Sequence, residues 1–118
     1  MARRVHLLAT DQRVCVEHAT FAASEVQRGV FPANGGTRRI AQQLSHPIPM
    51  ELLLLGDTFD AQTALRWSLV NWVVKATDLK DAARESPQRL ARNVPLAVQT
   101  AKELPLRSRD VDLATGLQ

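Results

Sequence analysis

One carboxylate, that of Glu25, stands among apolar and small residues, where a carboxylate can accept and return a proton during a reaction. It belongs to residues 21–37, which read FAASEVQRGVFPANGGT. After Glu25 this stretch contains residues that bend or stiffen the backbone: Gly29, Pro32, Gly35 and Gly36. Clustered glycines indicate a chain that turns tightly or lies close to another group. The spacing therefore indicates a reaction site at Glu25, and it leaves open the alternative of a solvated glutamate before an ordinary turn.

Short strands and helices must hold this stretch in place. Hydrophobic patterns predict strands over residues 13–16, 20–23 and 70–74, and helices over residues 37–44, 50–55, 78–93 and 95–104. A further short helix is expected after Asp60, which is a suitable capping residue. The pattern is that of an α/β protein in which short strands are followed by a mostly helical C-terminal part.

Prolines and a glycine mark several helix ends. Pro49 suits the first turn of the second helix, and Gly56 suits its C-terminal end. Pro87 is expected to kink or split the helix over residues 78–93, and Pro105 to end the last helix.

Apolar positions predict which helix faces are buried. The second helix has a predicted stripe of leucine and methionine: Met50, Leu53 and Leu54, widened by Leu52 and Leu55. The helix after Asp60 has a narrow face of mostly small residues that suits close packing: Ala61, Ala64, Leu65 and Ser68.

The composition describes a small, mildly basic chain. It has 118 residues, of which 45% are hydrophobic, so it can bury a core. The net charge is +3, but the arginines are scattered and few aromatic residues are present for base stacking, so nucleic acid is not an expected partner. No apolar run is long enough for a membrane span.

Cysteine and histidine usage narrows the chemistry further. Cys15 is the only cysteine, which excludes an internal disulfide and favours a reducing compartment, the cytoplasm. It lies between two valines and is interpreted as a small buried hydrophobe rather than a nucleophile. The histidines show no metal-ligand spacing, so no metal site is expected.

Several stretches follow one another in an order that is typical of one family: EVQRGVFP, NGGTRRI, MELLLLGD, DAQTALRWSLVN and VPLAVQTAKE. Together they resemble the enoyl-CoA hydratase/isomerase (crotonase) family, from about residue 5 to residue 117. The resemblance implies a fold of ββα turns. It also implies that residues 1–118 form a partial crotonase-like domain that lacks the family's N-terminal half and its C-terminal helices. Ser68 departs from the family pattern, which has a glycine there.

The resemblance implies acyl-CoA thioesters as substrates, with coenzyme A as part of the substrate and no separate cofactor. It also implies a homo-oligomer or a hetero-oligomer with a family member. In this family two peptide N–H groups form an oxyanion hole that stabilises an enolate. In the hydratases two glutamates handle a water and the proton added next to the carbonyl.

By this resemblance Glu25 matches the second of those glutamates and is the expected catalytic residue. The position of the first falls on Val5, and the turn that donates one oxyanion N–H falls on residues 1–3. The other donor would precede Met1. The expected substrate-binding residues are those of the turn and two aromatic residues for an acyl pocket: Gly29, Phe31, Pro32, Gly35, Gly36 and Trp72.

Two functions follow from these observations. The first is a working hydratase or isomerase with Glu25 as general acid/base, and an isomerase-like member needs only one carboxylate. The second is a truncated, non-catalytic member of the family, or a partner that docks on a full-length relative.

Overall fold

A computed structural model describes residues 7–33 and 35–111 of the chain, which divides into a first compact unit ending at Ala82 and a second beginning at Ala83. The strands of the first unit are β1 (Val14–Val16), β2 (Thr20–Phe21), β3 (Phe59–Asp60) and β4 (Trp72–Val74). Its helices are α1 (Gly36–Gln43), α2 (Pro47–Leu55) and α3 (Ala61–Arg66). Helix α4 (Leu79–Leu90) begins there, and α5 (Pro95–Arg107) belongs to the second unit. The predicted α/β class is confirmed.

The strands pair across long sequence separations. Strands β1 and β4 are parallel, with Val14 opposite Trp72, and β2 and β3 are antiparallel, with Phe21 opposite Phe59. Strand β4 begins later than the predicted residue 70, because the N–H groups of Leu69 and Val70 donate to the Ala64 carbonyl of α3 (2.8 and 3.4 Å). These two pairings hold residues 14–21 against the α2–β4 region.

The expected C-terminal end of α2 and the expected cap of α3 are confirmed, but α2 begins at Pro47, earlier than the predicted residue 50. Pro49 lies in the first turn of α2, and Gly56 ends that helix in the left-handed conformation at φ 70°. Asp60 caps α3, since its carboxylate accepts a hydrogen bond from the Thr63 N–H at 2.8 Å. That bond lowers the pKa of Asp60.

The predicted buried face of α2 is wrong in part: Leu52 is buried and Leu53 packs against the core as expected, but the exposed residues of this helix differ from the prediction. The structure buries Pro49 and Leu52, whereas Leu54 is 68% and Leu55 is 55% exposed. A continuous run of leucines has no helical period, so the sequence gives no phase for the buried face. In α3 the small-residue face is buried at Ala61 and Ala64, but the predicted Leu65 and Ser68 are exposed.

The later prolines do not interrupt their helices. Helix α4 continues through Pro87 to Leu90, and α5 continues through Pro105 to Arg107, so the predicted split and the predicted end are wrong. Each proline leaves one carbonyl without its helical partner, and these carbonyls belong to Ala83 and Ala101, which are exposed to water. Across residues 7–33 and 35–111, every helix lacks the length or the hydropathy of a bilayer-crossing segment.

The core of the first unit joins residues of α1, α2 and α3 with residues of the segments that precede β1 and follow α1 and α3. Its buried members are Leu8, Ile40, Leu44, Leu52, Ala64, Leu69 and Val70. Phe21, Phe59 and Trp67 pack against this core. The apolar cluster therefore lies between the N-terminal strands and α1–α3.

Arg13 makes several hydrogen bonds at the edge of this core. Its guanidinium donates to the Leu69 carbonyl (3.0 Å), the Thr10 carbonyl (3.1 Å) and the Gln43 side-chain oxygen (2.6 Å). Gln43 in turn donates to the Leu8 carbonyl at 2.9 Å. Burial lowers the pKa of Arg13, and the charge of Asp11 opposes that shift. This Arg13–Gln43 network connects β1 to α1 and to the segment after α3.

Ser68 adopts a backbone conformation that usually favours glycine. Its φ is 59°, and it is the non-glycine residue with positive φ among the described residues. A side chain in this region is strained because Cβ approaches the carbonyl oxygen. The strain lies at the bend between α3 and Leu69.

We expect Arg13→Met to lower the free energy of unfolding by about 2–3 kcal/mol, because it removes donors to partly buried oxygens while keeping most of the side-chain length. Urea denaturation followed by circular dichroism measures this change. Arg66→Met is the control, since Arg66 is exposed and donates to Thr63 within its own helix. Equal losses in the two variants would show that the network stabilises no more than a surface arginine does.

We expect Ser68→Gly to raise the free energy of unfolding by ~0.5–1 kcal/mol, since relief of the strain exceeds the added entropy of the unfolded chain. Ser45→Gly is the control. Ser45 is exposed in a loop and lacks a positive φ, so the same change there should be destabilising. A loss of stability in both variants would contradict the strain argument.

Candidate active site

A cavity of about 240 Å³ lies in the first unit between the strands and α1–α2. Most of its wall is apolar and comes from separate elements: Leu8, Phe21, Ile40, Leu52, Phe59 and Leu69. Glu25 also lines it and is the one ionisable side chain among the described residues of the wall. The cavity can therefore enclose an apolar group next to a single carboxylate.

One oxygen of the Glu25 carboxylate is buried without a hydrogen bond. Oε2 accepts none from any residue that the structure describes. A buried carboxylate oxygen left in this state is costly, and such atoms in folded proteins call for a functional or solvent partner. The oxygen is therefore available to a ligand or a water in the cavity.

The backbone around Glu25 forms a closed turn. The Glu25 carbonyl accepts hydrogen bonds from the N–H groups of Arg28 (3.0 Å) and Val30 (3.2 Å). Residues Val26–Arg28 form a 3-10 helix, which ends at Gly29 in the left-handed conformation at φ 74°. The glycine is required there because other residues are strained at positive φ. Glu25 thus projects from a tight turn at the edge of the cavity.

A second turn lies between Pro32 and α1. The Thr37 hydroxyl donates to the Pro32 carbonyl at 2.7 Å, and the Gly36 N–H donates to the Ala33 carbonyl at 3.1 Å. Gly35 has a φ of 78°, and a Cβ there would lie 2.8 Å from Nη1 of Arg39. Gly35 therefore permits the turn into α1, and Gly36, the first residue of α1, lines the same cavity as Glu25.

The structure brings some of the predicted site residues together and separates others. Glu25, Pro32 and Gly36 line the cavity. Gly29 and Gly35 shape its turns without lining it. Phe31 is 76% exposed, and Trp72 is 42% exposed on β4, so neither belongs to the described wall. Their predicted substrate-binding role stays a prediction.

The aromatic part of the cavity wall, formed by Phe21 and Phe59, was not among the predicted site residues. Phe21 and Phe59 stack with ring centroids 5.5 Å apart, and Trp67 packs on Phe59 at 5.0 Å. The pairing of β2 with β3 places Phe21 opposite Phe59. Each phenylalanine lies in a strand too short to give a clear sequence pattern. The two rings meet only because β2 pairs with β3 across 38 residues, and local spacing does not show that pairing.

The remaining reactive groups lie elsewhere. Cys15 packs against the core, and burial raises the pKa of its thiol, which supports the interpretation as a small hydrophobe. Within residues 7–33 and 35–111, no group of three or more His, Cys, Asp or Glu side chains could hold a metal ion. Val5 and residues 1–3, the positions matching the family's other glutamate and one oxyanion donor, lie outside the described residues.

Comparison with known proteins supports the resemblance seen in the sequence. A model of the enoyl-CoA hydratase/isomerase family matches residues 5–118. A carnitinyl-CoA dehydratase of Proteus mirabilis is 39% identical over 109 residues, which are 92% of this chain and 42% of that protein.

Solved structures give the same result for the fold. An enoyl-CoA hydratase from Bacillus anthracis superposes with a TM-score of 0.90 at 36% identity, over 94% of this chain and 43% of that one. A carnitinyl-CoA hydratase from Mycobacterium avium has a TM-score of 0.79 at 38% identity, over 84% of this chain and 38% of that one. The chain spans less than half the length of these relatives. It belongs to the enoyl-CoA hydratase/isomerase family and carries part of the crotonase fold.

Proposed function

We propose that this chain acts on acyl-CoA thioesters and that Glu25 is the general acid/base that moves the proton on the carbon next to the thioester carbonyl. The observation that carries this proposal is the unpartnered, buried Oε2 of Glu25 in an otherwise apolar cavity. Membership of the family adds the substrate class.

The cavity wall suits the apolar part of such a substrate. Leu8, Phe21, Ile40 and Phe59 would contact an acyl chain, and Glu25 would lie beside its reactive end. An apolar wall also excludes water from the carboxylate, which strengthens its electrostatic interactions with the reacting carbon. The closed turn at Glu25 would fix the carboxylate during proton transfer.

The number of carboxylates bears on the reaction. One carboxylate can remove a proton from one carbon and return it to another, which is the requirement of an isomerase. Hydration needs in addition a group that activates water. Among the described wall residues, Glu25 alone can do either. The proposal therefore includes isomerisation with Glu25 alone, and hydration with a second, water-activating group outside the described wall.

A second candidate is a non-catalytic family member that docks on a full-length relative. It is favoured by exposed apolar side chains, which include Phe31 at 76%, Leu54 at 68% and, in the second unit, Leu96 at 72%. Large apolar side chains that are left exposed can contact another protein. Gel filtration of the chain alone and mixed with a full-length enoyl-CoA hydratase tests this candidate, which requires a mixed species.

We expect Glu25→Gln to lower kcat for a short enoyl-CoA at least about 100-fold, because glutamine is isosteric but cannot transfer a proton. KM should change little. The assay follows loss of absorbance of the conjugated thioester. Glu51→Gln, an exposed change on α2, is the matched control and should leave kcat unchanged.

Each result separates the two candidates. Turnover that is retained in Glu25→Gln would show that Glu25 is not the general acid/base. A folded chain that binds acyl-CoA without turnover would favour the non-catalytic candidate. Turnover that is lost with Glu25→Gln and kept with Glu51→Gln would support catalysis by Glu25.

A further inference from the structure

The side chain of Gln27 connects the Glu25 turn to the end of α2. Its Nε2 donates to the carbonyl oxygens of Leu55 (3.1 Å) and Gly56 (3.0 Å). The last carbonyls of a helix lack helical partners, so an amide donor there satisfies groups that would otherwise need water. Gln27 therefore caps α2 from the turn that contains Glu25.

Close packing supports the same connection. Gly56 has a φ of 70°, and a Cβ at this position would lie 2.9 Å from Cγ1 of Val26 and 3.2 Å from both the Ala23 carbonyl oxygen and Cγ of Gln27. The Ala23 backbone before Glu25 and the Val26 and Gln27 side chains after it thus pack so closely on Gly56 that they leave no room for a Cβ there. The turn and the helix end fit together in one arrangement.

Glu25 depends on this arrangement for its position. Its buried Oε2 has no hydrogen-bond donor among the described residues, so no bond from that oxygen fixes the carboxylate. The carboxylate is therefore placed by its backbone and by packing. That backbone is fixed by the hydrogen bonds from Arg28 and Val30 to the Glu25 carbonyl and by the connection through Gln27.

Helix α2 is also part of the cavity, because Leu52 lines it one turn before the carbonyls that Gln27 contacts. We infer that Gln27 is a positioning residue: by capping α2 it sets the location of the Glu25 carboxylate relative to the cavity wall. This inference rests on the proposed function of Glu25 for its catalytic consequence, but the positioning can be measured without turnover.

If Gln27 only stabilised the fold, its replacement would lower activity and stability together. Gln27 is exposed as a whole, so its loss should change the overall stability little. A small displacement of a catalytic group can nevertheless lower the rate strongly. The inference therefore requires a loss of kcat without a matching loss of stability.

The first experiment is a double-mutant cycle with Gln27→Met and Glu25→Gln in the full chain. Methionine keeps the length of the side chain and removes the donor. We expect Gln27→Met to lower kcat by about 10- to 100-fold with KM and the denaturation midpoint unchanged. In the Glu25→Gln background it should cause no further loss, because Gln27 acts through Glu25.

Conservative variants test the role of the donor. Gln27→Lys keeps a donor of suitable length and places a positive charge at the helix C-terminus, so it should restore most of kcat. Gln27→Glu cannot donate and places a negative charge there, so it should be as low as Gln27→Met or lower. Gln62→Met, an exposed change on α3, is the matched control and should have no effect.

The second experiment measures backbone amide hydrogen exchange. The amides of Gly29 and Val30 donate to Val26 and Glu25, and they should exchange faster in Gln27→Met than in Gln62→Met. The Trp67 amide, which bonds to Thr63 at the end of α3, should keep its rate, showing that the effect is local.

The outcomes are distinct. Unchanged exchange at Gly29 and Val30 would overturn the inference whatever the turnover, and so would an additive loss of kcat in the double variant. Full activity of Glu25→Gln, or no turnover at all, would overturn the proposed catalysis instead. In that case, faster exchange confined to the Glu25 turn would still support the inference that Gln27 positions this turn.

Discussion

A carboxylate oxygen buried without a protein hydrogen bond is the constraint on which the site depends. Burying such an atom costs free energy, and no described residue donates to Oε2 of Glu25 to offset that cost. The surrounding backbone must therefore hold it. The 3-10 turn after Glu25, the left-handed Gly29 and the contact with Gly56 all restrict where the side chain can lie.

The apolar side of the cavity is stabilised by polar contacts outside it. Arg13 and Gln43 bind the carbonyls of Leu69 and Leu8, whose side chains form part of the wall. Main-chain oxygens of two wall residues are thus satisfied by side chains that do not line the cavity. The guanidinium is partly buried and its Nε has no described partner, so this network has its own desolvation cost.

The sequence predicted local structure correctly where a single residue type determines the backbone conformation. The end of α2 at Gly56, the cap of α3 at Asp60 and the turns at Gly29 and Gly35 follow from steric freedom or a side-chain acceptor. The buried face of α2 was predicted only in part, because a run of consecutive leucines has no helical period that would show which side faces the core. The helices continue through Pro87 and Pro105, contrary to prediction, because water can satisfy the carbonyls that these prolines leave unpaired.

The sequence by itself determined the α/β class, the family and the choice of Glu25 as the candidate acid/base, since these depend on residue types in a fixed order. Only the tertiary structure decided what surrounds Glu25. Phe21 and Phe59 became its aromatic wall through strand pairing, and Gln27 reached α2 across 28 and 29 residues. Contacts between residues so far apart leave no local pattern, because they arise from how the elements pack and not from their spacing.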